Sequence, residues 1–315
     1  MTESGSQRLL LVIDGGGTKT RALIAPINDV QAPPLMRLEA GPSNFGQVGR
    51  EGLKAVLNEL VGKLPPSLRG ISAVVAGMAG VGREAERQMA HDTLRELFPE
   101  IPLLLRTDAE LAYCGAFASE RSGILIIAGT GSIAWTRLPD GSFLRAGGWG
   151  PILGDEGSGA WIGREALRVC LREGETKTKT LGSLSRAILN ALGLSEASGV
   201  LTLVYQRGFD SRQWAALAPL VFEHAGKDAK ADAIITDAGA ALAKLAKRLL
   251  MQISLATKPV PIAVVGGLTA HWSLLLEPPF LIELMRDNPP ECELVKPIGD
   301  AIFGGRLIAQ EAGIQ

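Results

Sequence analysis

The stretch that most constrains this chain is residues 9–26, Leu9-Leu10-Leu11-Val12-Ile13-Asp14-Gly15-Gly16-Gly17-Thr18-Lys19-Thr20-Arg21-Ala22-Leu23-Ile24-Ala25-Pro26. An apolar run ends on an aspartate, meets three consecutive glycines and leaves as a second apolar run. Such runs suit buried strands and the glycines suit a tight connection, so the spacing predicts a β-hairpin. One Asn-Gly or Asp-Gly pair would be enough to turn a plain hairpin. Three glycines are costly to order, but they let the backbone approach a ligand and aim several N–H groups at one point, as phosphate-holding amides do. On this reading Gly16, Gly17, Thr18 and Lys19 face a phosphate, Thr20 adds a hydroxyl, and Asp14 holds a hydrated Mg²⁺. The bland alternative is a glycine-rich turn that merely turns.

Two commoner phosphate loops are excluded. The chain has no G-x-x-x-x-G-K-[ST], so it is not a P-loop NTPase. The G-x-G-x-x-G spacing also fails, because Thr20 stands where the third glycine belongs and a strand, not a helix, follows.

A second copy of the pattern lies at Gly123-Ile124-Leu125-Ile126-Ile127-Ala128-Gly129-Thr130-Gly131-Ser132-Ile133-Ala134-Trp135, with Gly129 114 positions after Gly15 and Ser132 opposite Thr18. This predicts an internal duplication of one hairpin unit, with Thr130 and Gly131 on the second phosphate loop. Asp14 corresponds to Ala128, so an acid is expected in only one loop. Two such loops would hold the two ends of a triphosphate, with the metal on the first side.

Between and after the hairpins the chain alternates strand and helix, which indicates sheets with covering helices. The turn-rich Gly41-Pro42-Ser43-Asn44-Phe45-Gly46 precedes a helix whose stripe is Leu53, Val56, Leu57, Leu60, Val61 and Leu64, ended by Pro65-Pro66. Ile71 to Ala76 reads as a strand, Glu84 to Phe98 as a helix and Ile101 to Leu105 as a strand. Thr107 and Glu110 then have capping-box spacing. With Thr107 as the N-cap, Asp108 is free to project beyond the strand end, where open α/β sheets bind ligands. It reads equally well as a first-turn acid favoured by the helix dipole.

Further on, Ala146-Gly147-Gly148-Trp149-Gly150-Pro151 and Gly154-Asp155-Glu156-Gly157-Ser158-Gly159 form a dense cluster before a helix from about Ala160 to Arg172, which Ser158 can cap. Residues 174–183 read as an exposed loop and 184–256 as helical, with Leu242, Leu245, Leu249, Leu250 and Ile253 as one buried stripe. Ile262 to Leu268 is a strand ending in the pair Gly266-Gly267. Gly299 to Ala309 is a helix with small residues on one face.

Composition narrows the class. Lys+Arg 32 against Asp+Glu 33 gives a net charge of −1 with no basic stripe, which argues against a nucleic-acid partner. Cys114, Cys170 and Cys292 are far apart, which leaves disulfides, structural zinc and iron–sulfur clusters without support. No apolar run approaches the ~20 residues of a membrane helix. The polar stretch Met1 to Arg8 does not read as a signal peptide. The expectation is a cytoplasmic protein without a membrane partner.

These stretches arrive in a fixed order that resembles the phosphate-1, phosphate-2, adenosine and connecting segments of the actin-like ATPase fold of sugar kinases, Hsp70 and actin. Within that superfamily the chain is similar to the N-acetylglucosamine kinase group of the BadF/BadG/BcrA/BcrD-type ATPases. ROK sugar kinases are disfavoured because their Cys-rich zinc motif and Glu-x-Gly-His segment are missing. Dehydratase activators are disfavoured because no suitable cysteine pair is present. The resemblance implies an α/β fold of two ribonuclease H-like domains with the nucleotide between them. The expected domains are 1–118, with the helix at 298–315 returning to it, and 119–297.

It implies ATP and Mg²⁺ as cofactors and phosphorylation of an amino sugar at its primary hydroxyl. N-acetylglucosamine is the expected acceptor and glucosamine its competitor. Asp108 matches the catalytic base. Asn44, Ser132, Gly148, Trp149, Gly150 and Asp155 match the sugar site. Thr18 and Thr130 match phosphate contacts, and Gly266 and Gly267 the adenosine segment. A homodimer is the expected assembly. The competing function is an ATP-driven conformational switch on the same fold.

Overall fold

The computed structural model describes residues 8–68, 70–118, 122–176, 180–206, 208–253 and 259–314. The stretch before Arg8, residues 177–179 of the expected exposed loop and residues 254–256 of the expected helical region lie outside the described residues. By its contacts the chain forms two compact units, Met1–Arg121 with Lys296–Gln315, and Ser122–Val295.

In the first unit the apolar runs become β1 (Leu9–Gly15) and β2 (Thr20–Pro26), antiparallel, with Gly15 facing Thr20. They sit in a five-stranded sheet of order β3-β2-β1-β4-β5, with β3 at Met36–Ala40, β4 at Ile71–Met78 and β5 at Leu103–Thr107. β1, β4 and β5 run parallel. Alternate residues of β1 serve opposite faces of the sheet. Leu9, Leu11 and Ile13 pack with Leu53, Leu57 and Leu60 of α1 (Phe45–Gly62) and Leu94 of α2 (Glu84–Leu97). Leu10 and Val12 pack on the other side with Leu111 and Cys114 of α3 (Asp108–Phe117). Both faces are covered, which explains the unbroken apolar reading of the run.

Helix α1 begins eight positions ahead of its apolar stripe. Asn44 caps it, its Oδ1 accepting the Gly46 N–H at 3.1 Å, and Gly49 at φ 63° kinks the first turns. Gly46, Gly49 and Gly52 are poor helix formers and hid this start inside a stretch that reads as turn.

The second unit repeats the sheet. β6 (Ile124–Ala128) and β7 (Ser132–Arg137) form a hairpin, β8 (Phe143–Gly147) adds an antiparallel edge, and β9 (Val260–Val265) and β10 (Cys292–Val295) run parallel to β6. Read from its antiparallel edge, the order β8-β7-β6-β9-β10 has the topology of the first sheet. The duplication therefore holds at the level of the sheet. Its fixed offset does not. Asp14 faces Arg21 across residues 15–20, whereas Ala128 faces Ser132 across residues 129–131. The second turn is shorter, so Ser132 opens its strand and does not occupy the place of Thr18.

Helices of this unit are α4 (Gly150–Leu153), α5 (Gly159–Gly174), α6 (Ser183–Ala191), α7 (Gly199–Gln206), α8 (Ser211–Ala215), α9 (Ala218–Glu223), α10 (Ala229–Leu250) and α11 (Glu277–Leu284). The stripe Leu242, Leu245, Leu249 and Leu250 of α10 is buried with Ile124, Ile126 and Ala134 of the sheet, and Ile253 is packed against the same core. Among the described residues no helix is long and apolar enough to cross a membrane.

The chain then returns to the first unit as α12 (Ala301–Glu311), capped by Asp300. Its small residues let it meet α3 almost backbone to backbone. A Cβ on Gly304 would run into the Leu111 carbonyl oxygen, and one on Gly115 into that of Asp300. The buried Arg306 fastens the helix to the β2–β3 connection by donating to the carbonyls of Ala32 (2.9 Å) and Asp29 (2.6 Å).

A helical Gly→Ala exchange ordinarily gains about 0.5–1 kcal/mol. At Gly304 the added methyl meets backbone that cannot yield, and overpacking of this kind costs about 1–3 kcal/mol. Gly304→Ala is therefore expected to lower stability in urea melts, while Gly62→Ala, with open space around it, leaves stability unchanged or raises it.

Candidate active site

Hydrogen-bond register places the candidate residues of the first unit. Gly15 of β1 pairs with Met78 of β4, and Met78 pairs with Thr107 of β5, so the three parallel strands end level. Asp14 sits one residue before that row and Asp108 one residue after it. This is the carboxyl edge at which α/β sheets bind ligands.

The glycine turn is fixed by backbone bonds. Gly16 donates its N–H to the Lys19 carbonyl (3.1 Å), and its own carbonyl accepts from Ser43 (3.0 Å) and Asn44 (3.1 Å). Asn44 is thereby held beside the turn, its Oδ1 spent on the cap and its Nδ2 facing Gly17. Thr18 is exposed at the tip. Thr20 is not a phosphate donor, contrary to the sequence reading. It opens β2 facing inward, fully buried, and its hydroxyl donates to the Gly41 carbonyl at 2.7 Å. Lys19 pairs with Glu39 at 2.6 Å, an exposed contact of small energetic weight.

Asp14 takes its cross-strand neighbour Arg21 as partner, with Nη2 at 2.6 Å and Nε at 3.2 Å from Oδ2. Arg21 also reaches Asp300 at 3.4 Å. Burial holds the Asp14 carboxyl above its usual range, and the Asp300 charge adds to this against the pull of Arg21. Arg21 and Asp300 carried no signal in the linear sequence. The antiparallel register makes the first a neighbour of Asp14, and the return of α12 brings the second.

Asp108 is the chemically loaded group. Thr107 and Glu110 close a full capping box on α3, with Glu110 N–H to Thr107 Oγ1 at 3.1 Å and Thr107 N–H to Glu110 Oε2 at 2.7 Å. Asp108 is released from capping, and its carboxylate accepts the Ala109 N–H at 3.0 Å together with its own N–H. Burial first, and then the charge of Asp14, raise its pKa from 3.8 to about 6. The carboxyl is thus poised to take a proton near neutrality.

A hydrated Mg²⁺ fits this edge. Among the described residues no three His, Cys, Asp or Glu side chains form a direct metal cage. The Asp300 charge raises the proton affinity of Asp14, and the Asp14 charge raises that of Asp108, with Arg21 as the cation between Asp14 and Asp300. An ion that keeps its waters and binds one carboxylate plus phosphates suits such a place.

In the second unit, the 129–131 turn is docked on the start of α5, with Gly129 and Thr130 carbonyls accepting from Gly159 (2.8 Å) and Ala160 (3.0 Å). Gly266, at φ 109°, lies against the Ala128 backbone where a Cβ would collide, whereas Gly267 borders open space. Ser132 is a hub. Its carbonyl accepts from Gly148 N–H (3.1 Å), its hydroxyl donates to the Glu156 carbonyl (2.8 Å), and its N–H donates to the Asp155 carboxylate. Asp155 also accepts from Gly150 N–H, is 8% exposed and sits at φ 56°, strained for a residue with a Cβ. Ser132 and Asp155 therefore shape the Gly148-Trp149-Gly150 segment through their bonds. Trp149 stands out at 62% exposure with the Arg145 guanidinium 5.4 Å from its ring centre.

Comparison with known proteins agrees with this architecture. The model of the BadF/BadG/BcrA/BcrD ATPase family matches residues 11–304. The chain belongs to that family. It is 31% identical to an N-acetylmuramic acid/N-acetylglucosamine kinase of Clostridium acetobutylicum, over 96% of this chain and 98% of that protein. It is 30% identical to an N-acetyl-D-glucosamine kinase of Dictyostelium discoideum over the same shares. A crystal structure assigned as an N-acetylglucosamine kinase from Chromobacterium violaceum superposes with a TM-score of 0.76 at 30% identity, covering 96% of this chain and 99% of that one. The fold is the two-domain α/β architecture of sugar kinases and actin-like ATPases. Family membership carries ATP as the nucleotide.

The raised pKa of Asp108 has a consequence for stability. Below about pH 4 the group is protonated both folded and unfolded. Between there and about 6 the folded state holds the extra proton, so this group's contribution falls as pH rises and is fully unfavourable above 6. Asp108→Asn keeps the acceptor for Ala109 and removes the charge. The variant is expected to be more stable than wild type at pH 7.5, by about 1–3 kcal/mol, with the difference vanishing near pH 4. Thermal melts across this range check it.

Proposed function

We propose that this protein transfers the γ-phosphoryl group of ATP to the primary hydroxyl of an amino sugar, with N-acetylglucosamine the principal acceptor. The observation that carries the reading is Asp108, a carboxylate at the end of β5 whose proton affinity is tuned to about pH 6. Near-full-length relatives at about 30% identity that are named amino-sugar kinases support the substrate class.

Asp108 accepts the hydroxyl proton as the sugar oxygen attacks, and ADP leaves with the bridging oxygen. Phosphoryl transfer asks the protein chiefly for positioning and charge. In this reading Gly16, Gly17, Thr18 and Lys19 of one turn and Thr130 and Gly131 of the other hold phosphate oxygens, and Gly266 and Gly267 border the nucleoside. Asn44 and the Gly148-Trp149-Gly150 segment hold the sugar, the latter shaped by Ser132 and Asp155. Asp14 would hold the hydrated Mg²⁺, which supplies neutralisation of phosphate charge.

The Clostridium relative's name includes N-acetylmuramic acid, an N-acetylglucosamine extended by a lactyl ether. That sugar therefore belongs in the assay beside glucosamine. A positioned base is worth about 10²–10⁴-fold. Asp108→Asn is expected to lose kcat by that factor while nucleotide binding, followed by calorimetry, stays within about twofold. Coupled ADP release should require a sugar, with kcat/KM for N-acetylglucosamine above that for glucosamine. Release of ADP indifferent to every hexosamine would identify an ATPase switch instead.

A further inference from the structure

The stretch from Gly148 to Leu153 has little to hold it by burial, whereas Gly154, Asp155, Gly157, Ser158 and Gly159 after it are buried. Trp149, Ile152 and Leu153 are 62%, 81% and 80% exposed, and Gly147, Gly148, Gly150 and Gly157 all take positive φ. Each glycine brings extra backbone freedom that ordering must overcome. Without apolar anchors, the order has to come from polar bonds reaching in from rigid elements.

Three such anchors are visible. Gly148 N–H is tied to the Ser132 carbonyl of β7, and the Asp155 carboxylate gathers the amides of Ser132 and Gly150. The third comes from α5, where Arg164 donates from Nη1 to the carbonyl of Pro151, in the middle of α4. Helix α5 is a firm base. Ile162, Gly163, Ala166 and Leu167 around Arg164 are buried in the core, and Ser158 caps the helix start. The Arg164 side chain is only 21% exposed, and its Nε, buried without a hydrogen bond, lies 3.9 Å from Glu165 Oε1. A guanidinium nitrogen buried without a hydrogen bond is costly unless the group's remaining contact matters.

We propose that Arg164 is a positioning residue for the sugar site, clamping the Trp149–Leu153 turn to α5 so that Gly148, Trp149 and Gly150 present one fixed surface to the acceptor. Burial pushes the Asp155 carboxyl up, and the Arg164 charge, with the two amides, works against that push. The inference rests on the kinase reading for what the surface binds. The clamp itself does not.

Two measurements separate the parts. Without any substrate, hydrogen exchange in peptides spanning 147–157 is expected to speed up about tenfold or more in Arg164→Gln, the scale of one lost hydrogen bond from a charged group. Peptides of β6 and α10 should be unchanged. Arg168→Gln, one turn along α5 and paired with Glu165 at 2.5 Å, is the control and should exchange as wild type. With ATP and N-acetylglucosamine, Arg164→Gln should raise the sugar KM about tenfold or more with kcat and the ATP KM within about threefold. Arg164→Lys, which keeps a cationic donor, should recover at least part of that loss and guards against a variant that fails to fold.

Unchanged exchange at 147–157 in Arg164→Gln would overturn the clamp. So would acceleration spread evenly over the second unit, or an equal effect of Arg168→Gln. A local exchange effect with an unaltered sugar KM would overturn the role in the sugar site while keeping the clamp. Absence of sugar-dependent turnover in wild type would count against the kinase reading alone, because the exchange result stands without it.

Discussion

The level row of Gly15, Met78 and Thr107 is the constraint on which the first unit's chemistry depends. It fixes how far Asp14 and Asp108 stand from each other, and so how strongly one carboxylate's charge acts on the other's proton. A slip of one residue in β1 would send Asp14 to the opposite face and exchange the set packed on α1 and α2 with the set packed on α3. Apolar packing on both faces therefore protects the geometry of two acids that do no packing themselves. Asp108 also opens a helix, where the dipole favours negative charge by about 0.3–1 kcal/mol. Its pKa nevertheless rises by about two units, worth about 3 kcal/mol. Desolvation wins over the dipole.

The two sheets show how one topology supports different duties. Both begin with an antiparallel hairpin and continue into parallel strands. In the first, the longer turn at 16–19 has an acid and a guanidinium facing each other beneath it. In the second, Ala128 and Ser132 close a shorter turn, and Ser132 turns its polar atoms to the 148–156 segment. Charge is concentrated in one copy and loop-shaping hydrogen bonds in the other.

Both halves accept local instability for this. Asp108 keeps a carboxylate where burial disfavours charge, and Asp155 keeps a Cβ at φ 56° where glycine would be relaxed. Strain of this kind persists only where the surroundings over-determine it. The surroundings here are specific: the capping box of Thr107 and Glu110 for the first, and the amides of Ser132 and Gly150 for the second.

Much of this was legible in the linear sequence because its signals are local. Both hairpins, the Thr107–Glu110 box, the Ser158 cap and the α10 stripe follow from residue types within a few positions. The short strands β3, β8 and β10 carried too little periodicity to be read, and the glycines at the head of α1 masked its start. The candidate residues could be named from the sequence, but not the partners each would take. By itself the sequence determined that glycines and hydroxyls would sit at strand ends with an acid beside them. Tertiary structure decided that Arg21 and Asp300 would share Asp14's charge, that Thr20 would turn inward and that Ser132 would spend its hydroxyl on Glu156. The reason is that hydrogen-bond partners and desolvation depend on residues brought together from distant parts of the chain, and no spacing within it encodes them.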